Sequence, residues 1–218
     1  MRTLKVLGAL LTYPDEPLLA ALGEMEAILV EENRLPPAQR DAVLRMIGDF
    51  RAADPWDLQE DYVARFDRTR SLSLHLFEHI HGESRARGQA MVDLAAMYEA
   101  QGLAIDAKEL PDYLPMFLEF LSLVPEAQAL DLLAETAHVI AALAGRLKER
   151  GSGHHAVFAA LQTLAGDPSV QLAAIVTPAE EADSADALDK EWEDQEVTFG
   201  AGAAMTGCPA SRDVLARM

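Results

Sequence analysis

Cysteine is almost absent from this chain. Its 218 residues include one cysteine, Cys208, so no internal disulfide can form, as is usual in a reducing compartment. No apolar run reaches the roughly 18 residues that a membrane span needs. The short apolar stretch at the N-terminus is followed by Pro14 and Asp15 and has no signal-peptide cleavage site. We therefore expect a cytoplasmic protein without membrane insertion.

Positive charge is also scarce. Lysine and arginine number 18 against 36 aspartates and glutamates, which gives a net charge of −18. Such a chain is poorly suited to neutralising phosphates, so we expect no nucleic-acid partner. The charge favours solubility and attraction to a basic partner.

Catalytic motifs are lacking as well. The sequence has no G-x-S-x-G, no phosphate-binding glycine loop and no G-x-G-x-x-G. Cys208 lies far from any segment that could hold a base against it. The carboxylates are numerous but dispersed. We predict no catalytic residue, no stably bound cofactor and no enzymatic activity.

Helical periodicity is what the chain has in abundance. Apolar residues recur at three- and four-residue spacing through most of residues 1–170, which predicts an all-α, single helical-bundle domain. One long Ala/Leu-rich helix is expected from Pro125 to Gly151. A last helix is expected from about His154 to Ala165, with His154 at the surface.

Residues 171–218 differ in composition. They hold ten acidic and three basic side chains, which predicts an acidic, largely disordered and flexible tail. Trp192, Val197 and Phe199 are unusual in a purely solvated tail. They either dock loosely on the helical domain or form a short recognition segment, and a scaffold acting through this tail is one alternative function.

The most distinctive stretch runs from Tyr62 to Leu94. The alternation of Leu72, Leu74 and Leu76 with polar residues predicts an extended connector across the core. The same stretch contains five arginines, which we expect to pair with nearby carboxylates and hold the connector in place. Recognition of an anionic ligand is the alternative. The arginines are Arg65, Arg68, Arg70, Arg85 and Arg87, and the expected carboxylates are Asp61, Asp67, Glu78, Glu83 and Asp93.

Three histidines of this stretch could suggest a metal site. His75 and His79 are four residues apart, but Leu76 stands where a zinc-protease motif needs glutamate. His81 is two residues further on and is not expected on the same helical face. We predict polar structural roles and no metal, with a metal-dependent enzyme using these three histidines as an alternative.

The run E-L-P-D-Y is the second candidate site. Pro111 is expected near the start of a helix, which would place Glu109 and Asp112 at a terminus that favours anions. They could be ordinary caps. Alternatively, they could border a hydrophobic groove suited to an amphipathic helix with basic residues. Tyr113, Phe117 and Phe120 would form the floor of that groove.

Four segments together resemble a known family. They are YVARFDRTRSLSLHLFEHIHGESRARGQAMVDL, ELPDYLPMFLEFLS, LGALLTYPDE and WEDQEVTFG. The resemblance is to respiratory nitrate reductase assembly chaperones of the NarJ type, within the wider family of chaperones for molybdenum-containing redox enzymes. It implies an all-helical cytoplasmic protein that is not part of the mature enzyme. Such a protein binds the N-terminal segment of the catalytic (alpha) subunit apoprotein, assists insertion of the molybdenum cofactor and delays membrane attachment.

The resemblance also implies site residues. In the wider family an E-P-D-type motif is associated with leader-peptide recognition, and its matching positions here are Glu109, Pro111, Asp112 and Tyr113. Leu110 stands where proline is more usual. Phe117 and Phe120 would complete the peptide site, in a monomer or a dimer. A structural clamp or partner contact is expected from Arg65, Arg68, Arg70, His75, His79, Glu83 and Arg85.

Overall fold

The computed structural model describes residues 1–81, 85–105 and 109–166, without the side chains of residues 81, 85 and 86. All regular elements in these ranges are helical, which confirms the all-α prediction. The predicted boundary between domain and tail, at residues 170 and 171, lies outside the described residues. The α-helices are α1 (Arg2–Ala9), α2 (Glu16–Glu32), α3 (Pro37–Ala52), α4 (Pro55–Tyr62), α5 (Glu78–His81), α6 (Arg85–Ala100), α7 (Leu114–Leu123), α8 (Glu126–Glu135), α9 (Ala137–Glu149) and α10 (His155–Ala165).

Several helix ends follow signals that are visible in the sequence. The Asp15 side chain accepts a hydrogen bond from the Leu18 N–H at 2.9 Å and caps α2. Asp54 caps α4 in the same way. Gly102 follows α6 with φ of 75°, a left-handed conformation that glycine adopts without strain. Aspartate caps thus begin two helices, and a glycine follows the end of a third, where the sequence pattern predicts.

Helix α1 lies at the centre of the packing and contacts α2, α7 and α10. Its contact with α7 is close because Gly8 has no side chain. A Cβ atom at Gly8 would lie 3.0 Å from the Pro115 carbonyl oxygen and 3.1 Å from Leu118 Cβ. Leu4 and Leu7 on the same helix are fully buried. The α1–α7 pair therefore forms a closely packed wall, and the candidate site lies along it.

The prediction of one long helix from Pro125 to Gly151 is wrong. The segment forms α8 and α9, which meet at an angle of 66°. Thr136 lies between them and its hydroxyl donates to the Leu133 carbonyl at 2.8 Å, which competes with helical hydrogen bonding. In the described ranges no single helix is long and apolar enough to cross a membrane. Within the same ranges, this bent pair alone meets the criteria of length and composition for a membrane span.

The prediction that His154 lies at the surface is also wrong. Its side chain is buried between two aromatic rings, with centroids 5.6 Å from Phe50 and 4.9 Å from Phe66. Burial, with a smaller contribution from Arg65, lowers the pKa of His154 to about 4. The turn between α9 and α10 folds back onto the core. This contact joins residues that are far apart in the sequence, so helical periodicity does not predict it.

Candidate functional site

The predicted connector is buried, but it is only partly extended, because Arg70–Leu72 form a 3₁₀ turn. We use "the connector" for residues 68–77. Leu72, Leu74 and Leu76 are all buried, and the intervening Ser71 and Ser73 are buried as well. The backbone forms an antiparallel bridge between His75 and Tyr113. The Leu76 N–H donates to the Asp112 carbonyl at 3.1 Å, so the connector is hydrogen-bonded to the segment that precedes α7.

Asp112 is the anchor of this contact. Its side chain is fully buried. Oδ1 accepts a hydrogen bond from His75 Nδ1 at 3.1 Å, and Oδ2 accepts one from the Phe77 N–H at 3.0 Å. Helix α7 begins at Leu114 rather than near Pro111, and no side chain caps its N-terminus. Asp112 is therefore neither a helix cap nor exposed at the edge of a groove. Its buried carboxylate holds the connector by hydrogen bonds to His75 and Phe77.

His75 links this buried carboxylate to the surface. Its ring is partly exposed and its centroid lies 5.4 Å from that of Tyr113. Nε2 lies 3.8 Å from an Oε atom of Glu109, whose side chain is half-exposed. The hydrogen bond to Asp112 raises the pKa of His75 despite partial burial, with help from the charges of Asp112, Glu78 and Glu109. The imidazole thus lies between an internal and an external carboxylate, and both favour its charged form.

Three tyrosines hold the segment before α7 from two sides. The hydroxyls of Tyr62 and Tyr113 lie 3.1 Å apart, and the Tyr62 hydroxyl donates to the Leu11 carbonyl at 3.2 Å. From the other side, the Tyr98 hydroxyl donates to the Pro111 carbonyl at 2.8 Å. The position of Tyr113 is therefore set by α4, α6 and the connector together.

A groove of about 520 Å³ opens beside this segment, between α1, α7 and the end of α6. Its floor is mostly apolar, while Lys5 and Glu119 form a 2.9 Å ion pair at its edge. Leu123 and Ile105 are 60% and 36% exposed, although both are large apolar residues. The groove is lined by Lys5, Gly8, Ala9, Thr12, Tyr98, Leu103, Ala104, Ile105, Glu109, Tyr113, Pro115, Met116, Glu119, Phe120 and Leu123.

The predicted peptide-site residues fall into two groups. Glu109, Tyr113 and Phe120 line the groove. Pro111 and Asp112 do not line it, and Phe117 is buried in the core. The structure thus brings half of the predicted set to one surface and places the other half behind it as support.

The α1 side of the groove was missed by sequence reasoning. Gly8 and Ala9 line the groove, and the absence of a side chain at Gly8 lets α1 approach α7 closely. A signal for this role was present in the sequence, because Gly8 and Ala9 are two adjacent small residues in an otherwise leucine-rich helix. The loop that follows Gly102 also contributes lining residues, and it contains no pattern that marks it as part of a site.

The arginines of the distinctive stretch are placed in different ways. Arg65 pairs with Asp61 one helical turn earlier, and Arg87 pairs with Glu78 at 3.2 Å. Two of the expected ion pairs are therefore present. Arg68 is exposed and Arg70 is half-buried in the 3₁₀ turn Arg70–Leu72. Glu83 and the Arg85 side chain lie outside the described residues.

The arginines that hold the other side of the connector come from α9 and were not predicted. Arg146 Nη1 donates to the Ser71 carbonyl at 2.7 Å, and Arg150 Nη2 donates to the Ser71 hydroxyl at 3.0 Å. His79 Nε2 donates to the Ser73 carbonyl at 2.8 Å, while its Nδ1 lies 3.5 Å from Arg146. Burial first, and then Arg146, lower the pKa of His79. The result is a neutral histidine between a carbonyl and a guanidinium.

His75 and His79 are each held by a different partner. His75 faces Asp112 and His79 faces Ser73. The His81 side chain lies outside the described residues. Within the part of the chain that the structure describes, no three histidine, cysteine, aspartate or glutamate side chains are grouped to hold a metal ion.

Comparison with known proteins gives a consistent set of relatives. Residues 20–160 match the model of the nitrate reductase delta subunit family. The chain is 44% identical to the probable nitrate reductase molybdenum cofactor assembly chaperone NarW of Escherichia coli K12, over 91% of this chain and 84% of the relative. It is 40% identical to the chaperone NarJ of the same strain, over 91% and 85%. The probable NarJ of Bacillus subtilis 168 is 32% identical over 78% and 93%.

Proposed function

Because the chain belongs to the nitrate reductase delta subunit family, we propose that it is an assembly chaperone for a nitrate reductase and not an enzyme. It binds the N-terminal segment of the catalytic (alpha) subunit apoprotein in the groove. It acts in the cytoplasm before membrane attachment and does not remain in the mature enzyme. It assists molybdenum cofactor insertion into the partner without holding the cofactor stably itself.

The observation that carries this proposal is the apolar groove with exposed leucine and isoleucine at its edge. Its volume of about 520 Å³ is within the usual range for ligand sites. Apolar side chains that are exposed around a concave surface often mark an interaction site. An amphipathic helix that places its apolar side chains over α1 and α7 would cover Leu123 and Ile105.

The charges near the groove favour a helix with a basic end. Glu109 is half-exposed at one edge, and Glu119 is half-exposed at another. The whole chain has a net charge of −18. Long-range attraction would therefore increase the association rate of a basic segment, and salt would weaken it.

The predicted site residues receive distinct roles in this proposal. Glu109, Tyr113 and Phe120 contact the bound segment directly. Pro111 and Asp112 hold Tyr113 and Glu109 in position through the connector, and Phe117 supports Phe120 from the core, with ring centroids 6.5 Å apart. Substitution of a supporting residue would change the groove by moving its wall, whereas substitution of a lining residue would change the contact itself.

Calorimetric titration of the full chain with a synthetic peptide of the alpha subunit's N-terminal segment tests the proposal. Leu123→Lys places a positive charge at the groove and removes an exposed apolar contact, so we expect roughly tenfold weaker binding or more, equivalent to about 1.4 kcal/mol. Val30→Lys is the matched control, because Val30 is 56% exposed on α2 and does not line the groove. Absence of binding heat, or equal affinity of both variants, would contradict the proposal.

A further inference from the structure

Two large aromatic side chains are exposed near one end of the groove. Trp56, in the first turn of α4, is 79% exposed, the highest value among the large apolar residues of the described ranges. Tyr13, in the loop between α1 and α2, is 44% exposed. Gln59 follows Trp56 by three residues on the same side of α4, and its side chain donates to the Pro14 carbonyl at 3.0 Å. That side of α4 therefore adjoins Tyr13, and we use "the aromatic patch" for Tyr13 and Trp56.

The aromatic patch continues the groove at one end. Thr12 lines the groove and directly precedes Tyr13 in the chain. The Tyr13 ring packs edge to face on Tyr62, with centroids 5.6 Å apart, and the Tyr62 hydroxyl lies 3.1 Å from that of Tyr113 in the groove wall. Trp56 precedes Tyr62 by six residues, which is about 9 Å along a helix. About three extended residues of a bound segment would cover that distance.

The two ends of the groove differ. Helices α1 and α7 run antiparallel along it, because Lys5 pairs with Glu119 at 2.9 Å while a Cβ atom at Gly8 would lie against Pro115. The exposed Leu123 therefore lies at the end opposite to the aromatic patch. The Lys5–Glu119 pair adds no net charge to the Leu123 end.

The surroundings of the aromatic patch are acidic. Residues 11–20 and 54–62 include six aspartates and glutamates and no lysine or arginine. All six are exposed, and they are Asp15, Glu16, Asp54, Asp57, Glu60 and Asp61. Within the described ranges, one of the six takes part in a salt bridge, Asp61 with Arg65. The patch therefore presents exposed aromatic rings among carboxylates that have little compensating charge.

This combination suits the side chain of a lysine or an arginine. The electron-rich face of an indole ring attracts a cation, and neighbouring carboxylates add to that attraction. An arginine also stacks its planar guanidinium group on an aromatic ring. The carboxylates would repel an acidic partner, and an apolar partner would leave them without a counter-charge at the interface. A basic segment is therefore the partner whose chemistry fits the aromatic patch.

We propose, on the basis of the function proposed above, that the aromatic patch binds the basic flank of the segment whose amphipathic helix occupies the groove. The flank leaves the groove past Thr12 and Tyr113 and passes over Tyr13 to Trp56. The apolar part of the helix covers α1 and α7 towards Leu123. Neither member of the aromatic patch lines the groove itself, so the patch is a second subsite that fixes the direction of the bound segment.

The fluorescence of Trp56 reports contact with the flank. The full chain is titrated with the synthetic peptide of the alpha subunit's N-terminal segment, and with a neutralised peptide whose basic residues outside the apolar stretch are glutamines. The chain has two tryptophans, so repeating each titration with Trp56→Phe isolates the signal of Trp56 by difference. We expect the intact peptide to shift the emission of Trp56 and to reduce its quenching by acrylamide. The neutralised peptide should bind more weakly and cause neither change.

Removal of two carboxylates tests the local charge. Asp57→Asn/Glu60→Gln should weaken binding of the intact peptide about threefold or more at low salt, and Trp56→Ala should have a similar effect. Neither variant should change affinity for the neutralised peptide. Asp131→Asn/Glu135→Gln is the matched control, because both residues are exposed on α8 and the variant has the same net charge. It should bind the intact peptide as the wild type does.

The possible contradictions are distinguishable. Absence of any binding by the wild type would overturn the proposed function and the aromatic patch together. Binding of the intact peptide without a change at Trp56 would overturn the aromatic patch alone. Equal weakening by the two charge variants would do the same, since it would show only long-range attraction by the net charge. An equal Trp56 signal from the intact and neutralised peptides would show that an apolar residue, and not a basic flank, covers the patch.

Discussion

The connector is held by opposite charges on its two sides, and two histidines four residues apart show the difference. Towards α7, His75 donates to the buried carboxylate of Asp112, and its pKa is raised. Towards α9, His79 donates to the Ser73 carbonyl and faces Arg146, and its pKa is lowered. The charged form of histidine is thus favoured on one side of the connector and disfavoured on the other.

The two sides also differ in what lies beyond them. On the α7 side, Asp112 and His75 lead directly to Tyr113 and Glu109, which line the groove. On the α9 side, Arg146 and Arg150 donate to the Ser71 carbonyl and hydroxyl, and none of these three residues lines the groove. Both sides stabilise the fold, but only the first reaches the groove in which we propose that the peptide binds. The predictions below test that asymmetry.

The largest effect is expected from Asp112→Ala. The change leaves His75 and the Phe77 N–H without the buried carboxylate that both of them contact. Loss of one partner from a buried, charge-assisted pair costs about 3 kcal/mol of unfolding free energy. Urea denaturation measures this cost, and calorimetry should show weaker peptide binding as well.

Glu119→Ala is the matched control for that variant. Glu119 is also a carboxylate in an ion pair, with Lys5, but both side chains are more than half-exposed. Exposed pairs of this kind contribute less than about 1 kcal/mol. Equal destabilisation by the two variants would show that the buried carboxylate is not the anchor of the connector.

On the α9 side, Arg146→Met keeps most of the side-chain packing but removes the bond to the Ser71 carbonyl and the contact with His79. We expect about 2 kcal/mol lower stability, since a hydrogen bond from a charged donor is lost. Peptide affinity should stay within about twofold, because this side does not reach the groove. Lys148→Met, an exposed position on the same helix, is the control. A large loss of peptide affinity in Arg146→Met would contradict the expected difference between the two sides of the connector.

The two histidines should give opposite dependence of stability on pH. His75 has a raised pKa, so its contribution is fully present below about pH 6.5 and is lost as pH rises through its pKa in the folded state. His79 has a lowered pKa, so its contribution is present above about pH 6.5 and is lost as pH falls towards its pKa in the folded state.

Urea denaturation of His75→Gln and His79→Gln across about pH 5 to 8.5, around the ordinary histidine pKa, checks this. The stability difference between wild type and His75→Gln should shrink as pH rises. The difference for His79→Gln should shrink as pH falls. Parallel curves for the two variants would mean that the charges on the two sides of the connector do not differ.

Features that depend on neighbouring residues could be predicted from the sequence. Helix starts at Asp15 and Asp54 follow from short acidic side chains one or two residues before proline, and the burial of the connector leucines was predicted, although Ser71 and Ser73 between them are buried too. The ion pair of Arg65 with Asp61 joins residues one helical turn apart. In each case the physical cause lies within a few residues of its effect.

Features that depend on distant partners could not be predicted in this way. Asp112 and His75 are 37 residues apart, and Arg146 and Ser71 are 75 residues apart. Sequence spacing predicted Asp112 as a cap or an edge residue, because the start of the following helix is visible from neighbouring residues. The contact of Asp112 with the connector is not visible in this way, since the connector lies far away in the sequence. The position of Phe117 in the core has the same cause, since an apolar residue on α7 can face either the groove or the interior.

The smallest effect concerns the two hydroxyls that hold residues 111–113. Tyr62→Phe removes the bonds to the Leu11 carbonyl and the Tyr113 hydroxyl, and Tyr98→Phe removes the bond to the Pro111 carbonyl. Each ring keeps its aromatic contacts, with Phe66 and Phe120 respectively. We expect each variant to lose about 1 kcal/mol in urea denaturation.

Peptide titration then separates the two tyrosines. Tyr62 holds Tyr113 through its side chain, so Tyr62→Phe leaves the Tyr113 ring less restrained at the groove wall. Tyr98 itself lines the groove but its hydroxyl points to the Pro111 backbone, which the connector also holds through Asp112. Affinity should therefore fall more in Tyr62→Phe than in Tyr98→Phe. The reverse order would mean that the α6 side, rather than the α4 side, fixes the wall of the groove.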